Sequence, residues 1–306
     1  MGQRPRSIGL ADLGMLTVVL IWGSNFAIAK SALAEFQPLV FGSLRFFGAT
    51  LLLFIFTWFR EGDLRIPRRD WAPLLVLGFV GNCVYQLLFV GGLSRTTASN
   101  SGLILGTAPI FVALLGTAVG SEKLYARNWL GILLSFVGLF LLVTGSGAGL
   151  SLGSETLVGD IMTLGATAAW ATYTVLFRRM AHRTTILKAS AWTMAVAVPF
   201  LFLAGLRQYP HQNWQAVSLR SWISVAYSMV FALSFSYVVW NSSVKRVGSA
   251  RTSIYSYLTP LVSVVVAWIL LGEAMKPLQG LGALFSLSGV ALARHHKGQV
   301  ALPRHQ

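Results

Sequence analysis

The sequence predicts an all-α integral membrane protein of ten transmembrane helices, arranged as two inverted five-helix repeats over residues 1–147 and 148–306. Three observations predict it: a composition too poor in charge for a water-facing surface, ten apolar runs of spanning length, and a match between the two halves of the chain. Of the 306 residues, 55% are hydrophobic and 11% charged, against roughly 25% charged in soluble domains. Ten Trp and nineteen Phe suit a lipid-facing protein with interfacial aromatics.

A spanning helix needs about 20 mostly apolar residues. Such runs occur at 11–30, 38–59, 72–93, 99–119, 128–146, 157–177, 186–206, 220–241, 252–272 and 278–294, the last being short. The longest connections are 60–71, 146–156 and 207–219, which leaves no room for a soluble domain. Arg4 and Arg6 ahead of the first run, with Ala27-Ile28-Ala29 within it, imitate a secretory signal. The run is too long for one, however, and the sixth run repeats it in mid-chain.

Lys and Arg set the orientation. With a cytoplasmic N-terminus, the inward segments hold seventeen basic residues and the outward loops five, namely Lys30, Arg95, Arg207, Arg220 and Lys276. The bias places both termini in the cytoplasm and explains the net charge of +15 without nucleic acid as a partner. The expected surroundings are a lipid bilayer, the bacterial inner membrane. One Cys, Cys83, and five His offer neither a disulfide nor metal-ligand spacing. A phosphate-binding loop is missing too, so no cofactor and no ATP drive are expected.

The repeat shows at two offsets. At 148 residues, Asp12 meets Asp160, Trp22 meets Trp170 and Lys30 meets Arg178. At 151, Arg69 meets Arg220, Trp71 meets Trp222, Arg95 meets Arg246, Pro109 meets Pro260 and Glu122 meets Glu273. Gly131, Ser135 and Gly138 likewise meet Gly282, Ser286 and Gly289. Residues 94–142 align with 245–293 without a gap. Five spans per unit is an odd number, so the second copy enters the membrane from the opposite side. This arrangement recurs in secondary transporters, where it exposes a central site to each side in turn. A receptor, an assembly subunit or an intramembrane enzyme needs no such symmetry, and the spans hold no nucleophile–base set.

With Trp22-Gly23-Ser24-Asn25 in the first span, Arg45 in the second, and the segments Pro109–Glu122 and Pro260–Glu273, the chain resembles the drug/metabolite transporter (DMT) superfamily. Within that superfamily it is similar to the EamA-type ten-helix families. The resemblance covers about residues 10–295. The aromatic-rich spans look like those of the YddG-type aromatic amino acid exporters. The superfamily also carries nucleotide sugars, other metabolites and drugs, so a multidrug or other metabolite exporter is the competing reading within it.

Polar residues on spanning helices face the protein interior or a wet cavity. The third span puts Asn82, Tyr85, Gln86 and Phe89 on one face. The sixth puts Thr163, Thr167, Trp170 and Thr174 on another, with Tyr173 adjacent. The eighth offers Ser234, Tyr237 and Asn241 with Trp240 beside them, the ninth Thr252, Tyr255, Thr259 and Ser263, the first Trp22 and Asn25. From these, Trp22, Asn25, Asn82, Tyr85, Gln86, Trp170, Tyr173, Tyr237 and Tyr255 are the expected substrate-binding residues. Aromatic walls suit an apolar or aromatic side chain, and amides and hydroxyls orient amino or carboxyl groups. Gate or hinge roles fall to Arg45, Pro109, Pro260, Glu122 and Glu273, with snorkelling to the interface as the structural alternative for Arg45. No Asp or Glu lies mid-span and no His lies in a span, which disfavours a carboxylate proton relay. The expected substrate is a small zwitterion, an amino acid above all.

Overall fold

The computed structural model describes residues 10–119, 125–145 and 154–294. Among these, ten helical rods account for nearly all the chain, with no strand. They are α1 (Leu10–Ala32), α2 (Pro38–Glu61), α3 (Arg68–Arg95), α4 (Ala98–Ala118), α5 (Ala126–Gly145), α6 (Glu155–Met180), α7 (Ile186–Gly205), α8 (Leu219–Val247), α9 (249–271) and α10 (Pro277–Arg294). Each coincides with one expected run. The largest difference is in α8, whose helix runs on to Val247, past the apolar run that ends at 241. Its last turn carries Lys245 and Arg246, which favour a helix C-terminus.

Local chemistry fixes the ends. Thr97, Ser154, Thr185 and Ser218 each cap a helix start by accepting the backbone N–H three residues on, at α4, α6, α7 and α8. Pro38 opens α2, where its missing N–H is no loss. Gly62 and Gly272 close α2 and α9 with φ of 65° and 68°, a left-handed conformation that a β-carbon would strain.

Packing makes the repeat a physical symmetry. α2 lies along α7, α5 along α10, and α4 against α9. α1 packs on α8 and α9, while α6 packs on α3 and α4. Exchanging the two copies maps every one of these pairs onto itself or another. At α5–α10, Gly138 faces the backbone of Gly282 and Ser286, and Gly289 faces Gly131 and Ser135. Ser135 donates to the Ser286 carbonyl at 3.0 Å. These are the small residues that the 151 offset superposes, used for close backbone approach.

The outside is apolar and the inside mixed, as lipid as solvent requires. Phe59, Leu133, Ile269 and Leu284 are more than 60% exposed. Among the described residues, six helices are long and apolar enough to cross a membrane. α6 is not one of them, and it lies inside the bundle, shielded by α3, α4 and α8. Its Thr163, Thr167 and Thr174 donate to the carbonyls four residues back, so their hydroxyls are satisfied within the helix.

Two helix pairs depart from α geometry at matched places. Phe79–Val84 in α3 and Ser228–Phe235 in α8 are π-turns, and the 151 offset carries 79–84 onto 230–235. Ser234 and Ser236 donate to carbonyls five residues back, Met229 and Phe231, both at 2.8 Å. In α4 and α9 the helix breaks just ahead of Pro109 and Pro260, each of which sits in the first turn of a new segment.

Candidate functional site

A cavity of about 50 Å³ lies at the centre of the bundle, lined by residues of α1, α2, α3, α4, α6, α8 and α9. Both repeats build its walls. Trp22 and its repeat counterpart Trp170 meet edge to face, 5.3 Å between centroids and 87° between planes. Gln86 and its counterpart Tyr237 also meet, the amide donating to the phenol at 3.4 Å. The pseudo-twofold axis of the fold therefore runs through this site.

Trp170 is the hub of the aromatic cluster. Besides Trp22 it packs on Tyr85 (5.3 Å), Tyr173 (5.4 Å), Tyr237 (5.3 Å) and Trp240 (5.5 Å). The indole N–H of Trp22 donates to the Ala232 carbonyl at 2.8 Å, inside the π-turn of α8, so the irregular backbone orients a cavity wall. One turn along the same pair of helices, Asn25 accepts from Ser228 at 2.7 Å.

Arg45 faces the cavity from α2 with only 1% exposure. Its Nη2 donates to Gln86 Oε1 at 2.6 Å, and its guanidinium lies 5.1 and 5.2 Å from the ring centres of Phe41 and Phe89. Snorkelling is thus overturned: the side chain turns inward to the Gln86 amide. A charge costs about 2.5–3.5 kcal/mol at the bilayer centre and less towards the interface; for Arg45, in the first third of α2, cation–π contact offsets this by about 0.5–2 kcal/mol per ring.

Of the nine residues expected to bind substrate, Trp22, Asn25, Tyr85, Gln86, Trp170 and Tyr237 line the cavity, and three do not. Asn82 is fully buried with neither side-chain atom hydrogen-bonded. It sits within the π-turn, whose wider winding breaks the 3.6-residue register assumed for residues 82–89. Tyr173 stands behind Trp170 and accepts from Asn241 at 2.9 Å, and Asn241 also donates to Ser190 at 2.9 Å. Tyr255 points to Asp12, to which its hydroxyl donates. Phe26, Ser256 and Thr259 are also among the lining residues. Ser256 escaped notice because it stands in the 3₁₀ stretch of α9, Ile254–Tyr257, where helical-face counting does not apply.

The expected gate residues divide. Pro109 and Pro260 mark the helix breaks described above. Glu273 stands just past the end of α9. It crosses to α4, accepting the Ala98 and Ser99 amides at 3.0 Å each and the Ser99 hydroxyl at 2.8 Å, because an unsatisfied helix N-terminus attracts a carboxylate. Glu122 lies outside the described residues.

That end of the bundle, bearing the α3–α4 turn, is densely tied. Lys30 donates to the Leu93 and Ser94 carbonyls at 2.8 and 3.1 Å. Asp160 accepts from Thr96 at 2.6 Å and from Asn100 at 3.3 Å. Gln279 donates to Asn100 at 2.8 Å. From the α1–α2 connection, Glu35 accepts the Ser218 amide just before α8 at 2.7 Å and its hydroxyl at 2.9 Å. These bonds hold its carboxyl below the usual range, the backbone amide contributing most.

The model of the EamA-like transporter family matches residues 9–144 and again 157–294. The chain belongs to the EamA-like transporter family. Each match covers one five-helix repeat, so this EamA-family chain is a multi-pass membrane transporter, and the DMT resemblance stands. The uncharacterized transporter YyaM of Bacillus subtilis is 26% identical over 292 residues, covering 95% of this chain and 94% of its own. An uncharacterized transporter of Archaeoglobus fulgidus is 29% identical over 286 residues, 91% and 96% of the two chains. A WAT1-related chloroplastic protein of Arabidopsis thaliana is 25% identical over 291 residues, 93% and 69%. A solved crystal structure superposes with a TM-score of 0.69 at 20% identity, covering 92% of this chain and 96% of that one, a likeness of fold alone.

Proposed function

We propose that this EamA-family transporter exports small zwitterionic metabolites, amino acids with aromatic or hydrophobic side chains foremost, across the bacterial inner membrane by alternating access without ATP. The supporting observation is the central cavity, lined from both repeats by Trp22, Trp170, Tyr85 and Tyr237 with Arg45, Asn25 and Gln86 among them. Rings supply stacking area at small entropic cost, and the amides and guanidinium supply the few oriented polar contacts that such sites use. Export and both cytoplasmic termini are inferred from the family resemblance and from the basic residues of the inward loops.

At about 50 Å³ the cavity holds water more readily than an amino acid, since binding pockets run to about 300–1,000 Å³. Substrate entry therefore needs the repeats to move apart. The breaks ahead of Pro109 and Pro260 are the proposed hinges, and the Glu273 contact to α4 is the proposed latch at one end. Counterflow in proteoliposomes with labelled phenylalanine, leucine and a cationic dye tests the substrate class. Saturable exchange of phenylalanine, unchanged by an imposed pH gradient, is the expected result. Exchange of the dye alone sinks the amino acid reading.

A further inference from the structure

Arg45 carries the inference. A guanidinium stays protonated in proteins and offers five N–H donors. Here one donates to Gln86, and Nε is buried with no partner. No carboxylate among the described residues lies within ion-pair reach of it.

Counter-charge is scarce throughout. The chain has nine acidic residues, of which Glu122 lies outside the described part. Asp160 is held by Thr96 and Asn100, Glu273 by the start of α4, and Asp12 accepts from Tyr255. The others lie in or beside the loops. Among the cavity-lining residues Arg45 is the one ionisable at neutral pH, and none is an acid. The site is a fixed positive charge in an aromatic chamber whose other polar groups are all neutral.

We infer that Arg45 is an anion-binding, specificity-determining residue that neutralises the carboxylate of the transported molecule, so the cavity ranks arylalkyl carboxylates at least as high as the matching amino acids and excludes the matching amines. Desolvating a cation makes its attraction for an anion strong, and a planar guanidinium suits a carboxylate. An ammonium finds ring faces and the neutral oxygens of Asn25, Gln86, Ser256 and Thr259 there, but no carboxylate to neutralise it and one cation that repels it. The α-amino group of an amino acid is then a passenger. The inference rests on the proposed role of the cavity as the substrate site and narrows its chemistry.

The test compares three ligands of related skeleton: L-phenylalanine, its deaminated relative 3-phenylpropionate, and its decarboxylated relative phenethylamine. Binding to the purified protein in detergent is followed by calorimetry, and counterflow is run in parallel. We expect 3-phenylpropionate to bind at least as tightly as phenylalanine and phenethylamine roughly tenfold or more weakly. Arg45→Gln abolishes the preference for the acid over the amine, and Arg45→Lys retains part of it. The wild-type series needs no variant and survives any folding defect. The inference is overturned if phenethylamine binds as well as the acid, if none of the three binds, or if folded Arg45→Gln binds the acid as the wild type does. Binding of the acid through Arg45 without exchange of any solute would overturn the carrier reading and keep the anion site. Exchange of phenylalanine with no effect of charge on binding would do the reverse.

Discussion

Tyr85 and Trp170 look alike as sequence, two mid-span aromatics on polar faces, yet the structure gives them different burdens. Trp170 touches five other rings and is 4% exposed. Trp170→Ala should cost about 3–5 kcal/mol and lower the thermal unfolding temperature in detergent, so lost transport in that variant says little about substrate. Tyr85 is half-buried beside the cavity. Tyr85→Ala should leave the unfolding temperature within a few degrees and reduce phenylalanine counterflow about two- to tenfold, the worth of one stacking contact. Wild-type flux in a folded Tyr85→Ala protein would remove Tyr85 from the site. Six of nine expected lining residues were legible because a 3.6-residue period and a repeat offset sufficed to find them. Asn82 and Tyr255 were misplaced because each sits where the helix leaves that period. Arg45 shows a further limit: hydropathy gave its depth in the span, but its inward turn depends on Gln86, 41 positions away.

At the scale of elements, the helices were legible from apolar length, and their irregularities were not. The prolines announced the breaks in α4 and α9. The π-turns of α3 and α8 have no such marker, since Phe79–Val84 reads as ordinary apolar helix. The end of α9 held another surprise. A carboxylate beside a helix C-terminus is unfavourable in isolation, and Glu273 is stabilised instead by a helix start from the other repeat. Glu273→Ala leaves the Ala98 and Ser99 amides without that acceptor, a loss of about 0.5–2 kcal/mol by analogy with removing a cap. Amide exchange at 98–101 should accelerate about tenfold. Glu155→Ala, which breaks an exposed pair with Arg95 at 3.2 Å, should change exchange little, because surface ion pairs contribute about 0–1 kcal/mol. Equal exchange in the two variants would argue against Glu273 as a latch.

For the whole molecule, repeat pairing was the deciding signal. Isolated matches such as Asp12 with Asp160 reappear as one design: each carboxylate contacts the broken helix or its threshold in the opposite repeat, Asp12 at Tyr255 and Asp160 at Thr96 and Asn100. Gly138 and Gly289, matched by the 151 offset, both stand in the α5–α10 contact. Which face of the membrane each end meets is a separate matter, resting on basic-residue counts. It is tested by single cysteines at exposed Gln215 and Arg65; native Cys83 is buried and should stay silent. A membrane-impermeant maleimide should label Gln215→Cys on intact cells and Arg65→Cys only after permeabilisation. The opposite pattern would invert the topology and the direction of every transport step proposed above.

The π-turns have a consequence for how this gene tolerates insertions and deletions. A π-turn absorbs one residue more than an α-helix would use over the same path. Removing a single codon within 79–84 would let α3 close to regular helix while Tyr85 and Gln86 keep their aim. The same deletion in the regular part of α2 would swing Arg45 by about 100° and take it off Gln86. Two membrane spans of this protein thus each hold a spare residue, at equivalent points of the two repeats, and a one-residue gap falling there in a relative's alignment would mark a straightened helix rather than a lost site.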